Sequence, residues 1–255
     1  MSESQLSVEV TDGVVTMTMN RPQARNAISL QLATEMAEAL ENLDRDPDLR
    51  VGIITGAGGT FCAGMDLKGF ARGERPVVPE RGFAGLVRKP PRKPLIAAVE
   101  GYALAGGFEI VLACDLVVAG QGATFGLPEV KRGLTAAAGG LLRLQERIPH
   151  NLAMELVLTG RPLSAHEASE LHLVNRLVAD GTARDAAQEL AAEIAANAPL
   201  ALAASKEVLT HSSDWTWNEK FDKQELVVDP VRQSLDAREG AQAFIEKRAP
   251  IWLGR

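Results

Sequence analysis

The chain has 255 residues, enough for one large domain or two smaller ones with a proper core. Its 46% hydrophobic and 24% charged residues are an ordinary globular balance, and a net charge of −6 without a basic stripe excludes a nucleic-acid-binding surface. Cys62 and Cys114 are far apart, form no CxxC pair and read as reduced thiols of a cytoplasmic protein.

Met1–Val10 carries acids and no positively charged start, unlike a signal peptide. Val8–Thr11 and Val14–Met19 read as two strands joined at Asp12-Gly13, a common hairpin pair. Ser29 is a helix cap, and Leu32, Met36, Leu40 and Leu43 follow at helical spacing until Asp46-Pro47-Asp48. Val51–Thr55 is a β-branched strand followed by the loop Gly56-Ala-Gly-Gly.

Phe70–Pro94 is rich in Arg, Pro and Gly, with little period, and predicts a long, mobile, solvent-exposed loop. Leu95–Val99 is a strand, Gly106–Ala113 a short apolar helix and Leu116–Ala119 another strand. Glu100, Glu109 and Asp115 interrupt the apolar run Leu95–Gly120, which argues against a membrane span. This alternation is an α/β pattern. Beyond Gly139 the chain reads as helices at Leu141–Arg147, Leu152–Leu158, Ala165–Leu171, Ala183–Ala196, Pro199–Thr210, Trp217–Leu235 and Gly240–Lys247. Asn197-Ala198-Pro199 marks a boundary between a core, 1–196, and a helical C-terminal region, 197–255.

Glu109 is the most informative residue. An ionised carboxylate among Tyr102–Cys114, so apolar a segment, is costly unless it is paired or functional. It falls in the first turn of a helix, where the dipole favours an anion. It is either an exposed helix-start acid or a catalytic carboxylate beside open backbone amides. Ala105-Gly106-Gly107 and Cys62-Ala-Gly-Met-Asp66 both offer such amides. Two of them aimed at one carbonyl oxygen form an oxyanion hole, each donor contributing about 3 kcal/mol. Glu129, after Pro128, is a second acid, and the pair can serve as general acid and base.

These stretches carry a specific resemblance. Asn20-Arg-Pro-x-x-x-Asn-Ala, Phe61-Cys-Ala-Gly-Met-Asp-Leu-Lys, Gly101-Tyr-Ala-Leu-Ala-Gly-Gly-Phe-Glu, Phe125-Gly-Leu-Pro-Glu, Leu158-Thr-Gly-Arg-Pro-Leu-Ser-Ala and the tail Phe244-x-Glu-Lys-Arg-x-Pro occur in order over nearly the whole chain. Together they resemble the enoyl-CoA hydratase/isomerase family, the crotonases. The resemblance implies a spiral of repeated strand-strand-helix units with a helical C-terminal trimerisation region, and a homotrimer or dimer of trimers. It implies a substrate that is an acyl thioester of coenzyme A, no cofactor, and addition of water to a 2-enoyl-CoA. It puts the oxyanion-hole amides at Met65 and Gly106 and the two hydratase glutamates at Glu109 and Glu129. It puts CoA contacts at Arg25, Ala63, Met65, Asp66, Leu67, Lys68, Gly106 and Lys247, with Asp66 and Asp115 otherwise structural.

Two departures stand out. Relatives often carry Pro-Gly before the Gly-Gly pair, where this chain has Thr135 and Ala136–Ala138, and Ala105 stands where relatives often have Gly. Competing chemistries lack support. Gly56-Ala-Gly-Gly does not complete a GxGxxG pattern, since Phe61 takes the sixth position. His150, His166, His172 and His211 form no metal-type HxxxH pair, and there is no GxSxG. Two readings remain open within the family: double-bond isomerisation through one acid, or a non-catalytic CoA-ester-binding subunit.

Overall fold

The computed structural model describes residues 4–255; the first three residues of the Met1–Val10 segment lie outside it. Strands β1 (Leu6–Thr11) and β2 (Val14–Met19) form the expected antiparallel hairpin, in register from Leu6 opposite Met19 to Thr11 opposite Val14. Asp12 and Gly13 both take positive φ, as a two-residue hairpin turn demands. Ser29 caps α1 (Leu30–Arg45), its hydroxyl accepting from the Leu32 amide at 3.1 Å.

From here the chain advances in turns of one pattern. Strand β3 (Val51–Gly56) joins β2 in parallel; Cys62 then makes an isolated bridge, and a short helix α2 (Leu67–Ala71) follows. A small hairpin, β4 (Val77–Val78) with β5 (Gly82–Phe83), precedes the second turn. That turn is β6 (Leu95–Val99), β7 (Tyr102–Leu104) and α3 (Gly106–Ala113). The third is β8 (Leu116–Gly120), β9 (Thr124–Gly126) and α4 (Gly140–Arg147). In each turn the first strand adds to a six-stranded sheet, and the next extended stretch adds to a smaller sheet. Cys62 pairs with Ala103 of β7, and β7 with β9, so three turns stack their second stretches side by side. The helix starts that follow are therefore stacked too, and this stacking assembles the site.

After α5 (His150–Thr159), β10 (Leu163–Ser164) closes the small sheet against β9. Helix α6 (Ala165–Glu170) leads to β11 (Arg176–Val178), which ends the large sheet, ordered β1-β2-β3-β6-β8-β11. Helices α7 (Ala183–Ala195), α8 (Pro199–His211), α9 (Lys220–Arg232) and α10 (Leu235–Glu246) complete the chain. The expected helix over 217–235 is thus shorter at both ends, and the last helix begins five residues before Gly240, where Ser234 caps it.

Strand β6 is buried on both faces. Leu95, Ala97 and Val99 face the core that includes Met17, Leu40 and Phe108, whereas Ile96 and Ala98 face Ala183, Ala187 and Ala191 of α7. This two-sided burial explains the unbroken apolar run in the sequence. Small residues every fourth position bring α7 close to the sheet. Glu100 holds the start of α7, accepting from the amides of Gly181 and Ala183 at 3.0 Å each.

The Phe70–Pro94 segment is only in part the solvent-exposed loop its composition suggests. Arg81, Gly82 and Ala84–Val87 are buried, and Gly85 lies against Ala33 and Ala37 of α1. Arg81 is 5% exposed, and its Nε donates to the Gly85 carbonyl at 2.8 Å. The apolar run Phe83–Val87 supplies the driving force, and the surrounding Arg and Pro residues mask it in the sequence.

Candidate active site

The loop after Cys62 and the start of α3 come into direct contact. Gly64 has φ +98°, and a Cβ there would stand 3.2 Å from the Gly106 nitrogen and 3.0 Å from the Ala105 methyl. Only glycine suits that backbone and that gap. The Met65 segment is fixed on its other side by Ile28, whose amide donates to the Gly64 carbonyl at 2.8 Å and whose carbonyl accepts from Asp66 at 2.9 Å. No acceptor among the described residues meets the Met65 or Gly106 amide. Two neighbouring, unoccupied N–H donors are what an oxyanion hole requires.

Ala105 turns the chain from β7 into α3 with φ +52° and ψ −127°. A residue with a Cβ rarely adopts this conformation, at a cost of about 1–3 kcal/mol. Its amide donates to the Gly126 carbonyl at 2.8 Å, and its carbonyl accepts from Phe108 and Glu109 at 2.9 and 3.0 Å. The anchored turn holds Gly106 at the helix start. Phe83 lays its ring against Gly106, so the segment misread as a loop forms a wall beside that amide.

Glu109 is 3% exposed, which rules out the exposed helix-start reading. Its Oε1 accepts from the amides of Ala138 and Gly140 at 2.7 and 2.9 Å. Gly140 is needed there, because a Cβ would stand 2.9 Å from Glu109 Cγ. The altered run before Gly139 thus still delivers its amides to the acid. Burial pushes the Glu109 carboxyl above the usual range; the two amides and the Arg143 charge act the other way. Burial raises Glu129 as well, against its own backbone N–H, and the charge of Glu109 raises it further. Glu129 Oε2 is buried with no hydrogen-bond partner. With Glu109 charged, Glu129 is thus held toward its protonated form. Such a pair can give a proton at one point and take one at another.

The other expected contacts divide. Arg25 is exposed, and its carbonyl accepts from the Ala63 amide at 3.0 Å, so it stands beside the Ala63–Lys68 run. Leu67 and Lys68 are exposed on the first turn of α2. The Asp66 carboxylate is engaged in the fold. It pairs with Arg21 at 2.8 Å and caps α2 through the amides of Lys68 and Gly69. Burial opposes its ionisation, but Arg21 and these amides prevail and hold its carboxyl below the usual range. Asp115 is likewise tied down, by the Leu95 amide at 2.8 Å and Lys206 at 2.6 Å. Lys247 ends α10 with φ +56°, and no hydrogen bond or ion pair among the described residues joins it to the Arg25–Lys68 group. Sequence reasoning missed Phe83 and Arg143. Phe83 sits in an apolar run that could have signalled burial, whereas nothing in the sequence distinguishes Arg143 from a surface arginine of a helix.

The enoyl-CoA hydratase/isomerase family model matches residues 9–255. The chain is 44% identical over 263 residues to a carnitinyl-CoA dehydratase of Salmonella typhi, with both chains covered in full. Its fold matches that of an enoyl-CoA hydratase from Mycobacterium tuberculosis H37Rv with a TM-score of 0.97 and 54% identity, over 99% of this chain and 100% of the other. A carnitinyl-CoA hydratase from Mycobacterium avium is 44% identical with a TM-score of 0.80, both chains being covered completely. Stacked strand-strand-helix turns, paired open amides and relatives matched end to end agree: the protein belongs to the enoyl-CoA hydratase/isomerase family.

Proposed function

We propose that the protein is a hydro-lyase that adds water across the 2,3 double bond of a trans-2-enoyl-CoA, or removes it from the 3-hydroxyacyl-CoA. The observation that carries this reading is the pair Glu109 and Glu129. Glu109 is buried and Glu129 half-buried with its Oε2 enclosed, each is pushed toward the neutral form, and Glu109 uses only Oε1 on its amide cradle.

In this mechanism the thioester oxygen accepts from the amides of Met65 and Gly106. Glu109 takes a proton from water as its oxygen bonds to C3. The C2=C3 electron pair moves toward the thioester, and the oxyanion hole holds the resulting enolate. Its collapse takes a proton at C2 from Glu129. No external oxidant or metal enters the balance. Arg25, Lys68 and Lys247 serve the CoA phosphates, and the Ala63–Lys68 strip, with Asp66 shaping it, borders the thioester arm. We also propose that the exposed apolar face of the C-terminal helices is covered by further copies in a homotrimer or a dimer of trimers.

Direction is a second question. Relatives named for dehydration at 44% identity over the full length favour testing the reverse reaction too. The test is a panel of short, long and branched enoyl-CoAs, together with carnitinyl-CoA, followed by product mass and the ultraviolet absorbance of the conjugated thioester. Gain or loss of one water supports the reading. Unchanged mass with a moved double bond identifies an isomerase instead, and a requirement for added NAD or a chelatable metal overturns the mechanism.

A further inference from the structure

Arg143 lies in the first turn of α4, half-buried, and among the described residues no carboxylate forms an ion pair with it. Leaving a half-buried guanidinium without a counter-ion is costly, so its placement calls for an explanation. Its side chain touches two segments at once. One guanidinium nitrogen donates to the Val87 carbonyl at 2.6 Å, while another rests over Gly139. Gly139 lies between the two residues whose amides hold Glu109 Oε1. Val87 ends the buried segment whose Phe83 covers Gly106. One side chain therefore spans from the cradle of the acid to the wall beside the oxyanion-hole amide.

We propose that Arg143 is a positioning residue: it sets the spacing between the Ala138–Gly140 cradle and the Phe83–Val87 segment, and supplies the positive charge that acts on Glu109. The proposal rests on the reading of ionised Glu109 as the base. The charged groups around this acid are Arg143 from α4 and Glu129 from the turn after β9. Around Arg143 itself stand Arg147 and Glu146 of the same helix and the Cys114 thiol at the end of α3. Burial and Arg147 both disfavour the Arg143 charge, so the guanidinium is held there by packing and by the Val87 carbonyl, with Glu146 and Glu109 favouring it.

The sign of the effect is fixed. Removing a positive charge makes Glu109 harder to ionise, so the acid limb of kcat/KM moves to higher pH. Arg143→Gln removes charge and fork; Arg143→Lys keeps charge and loses the planar fork. The full enzyme is assayed across pH, and Glu109 is titrated by carbon NMR with labelled glutamate, its signal assigned by loss in Glu109→Gln. For Arg143→Gln the expected kcat/KM is on the order of tenfold below wild type on the acid side and within about threefold on the plateau. The carboxyl signal moves in the same direction. Arg143→Lys keeps the limb and raises KM. An equal loss at all pH values with an unmoved Glu109 signal overturns the proposal. If the signal moves and the limb does not, Glu109 is not the base, and the proposed function fails while the placement of Arg143 stands. Should Arg143→Gln fail to fold by circular dichroism, Arg143→Lys decides, since wild-type KM in that variant overturns the positioning role.

Discussion

The proposed role of Glu129 has a counterpart that stability measurements can read. Partial burial raises its carboxyl above the usual glutamate range, and one oxygen has no partner. A raised folded-state value means that the buried group favours folding fully below its unfolded value. That contribution is lost as pH rises through the folded value. Glu129→Gln removes the ionisation and is expected to raise Tm at pH 8, with a gain that fades as pH falls toward 4.5. Activity moves oppositely: Glu109→Gln and Glu129→Gln each lower kcat by about 10²–10⁴-fold, and the double variant loses far less than the product of the two. Solvent deuterium exchange at C2 of a saturated acyl-CoA separates the roles, being lost with Glu129 and partly retained without Glu109. Near wild-type hydration by Glu109→Gln would refute the two-acid mechanism. Lys68→Ala and Lys247→Ala should mainly raise KM, because phosphate contacts act equally in ground and transition states.

At the scale of elements, the turn from β7 to α3 stores strain at Ala105 beside the open amide of Gly106. Ala105→Gly relieves it and is expected to stabilise the fold, or leave it unchanged, because the gain offsets the extra chain entropy of glycine. Turnover should fall with KM little changed, since Gly106 is then held less firmly. A parallel rise of stability and kcat would show that the strain serves no purpose. The close seat of α7 on the sheet makes the opposite case, where no strain is wanted. Ala187→Leu overfills it and should destabilise by about 1–3 kcal/mol in a denaturant titration.

Much of this was legible in the sequence for a physical reason. Long elements such as α1 and the hairpin declare themselves through periodicity and turn residues, and Glu109 declared itself by its apolar neighbours. What escaped notice is short or distant. Strands β7, β9 and β10 have two or three residues each, below the length at which any period shows. The cradle of Glu109 comes from amides 29 and 31 residues away, and backbone donors carry no residue signature. The 70–94 segment misled because its polar composition outweighed the five-residue apolar run that buries it.

Taken as a whole molecule, the C-terminal helices leave an apolar surface that a lone globule would not keep. Leu209 is 80% exposed, Leu226 78%, Phe244 84% and Ile245 73%. Trp217 and Phe221 meet edge to face at 6.2 Å and line a cavity of about 220 Å³ with Val208 and Trp215. Light scattering at micromolar concentration should give a trimer or hexamer, and a clean monomer would count against the assembly. Lys206 of α8 ties this region to the core, donating to Asp115 and to the Lys93 carbonyl at 2.6 and 2.9 Å. Lys206→Met should loosen the C-terminal helices before the sheet, as an early, separate step in limited proteolysis.

The bridge that pairs Cys62 with Ala103 also has a consequence in time. The amides of Cys62 and Leu104 are locked into it at 2.9 Å each, beside the buried Cys62 and Ala103, and can trade their protons with solvent only when this pairing opens. Those of Met65 and Gly106, a few residues further along the two segments, have no acceptor among the described residues to hold them. In heavy water the unliganded protein should therefore label these two positions early and their neighbours late. A bound thioester should slow Met65 and Gly106 together and leave the bridge amides as they were, so the active site would be visible as two clocks that stop at once.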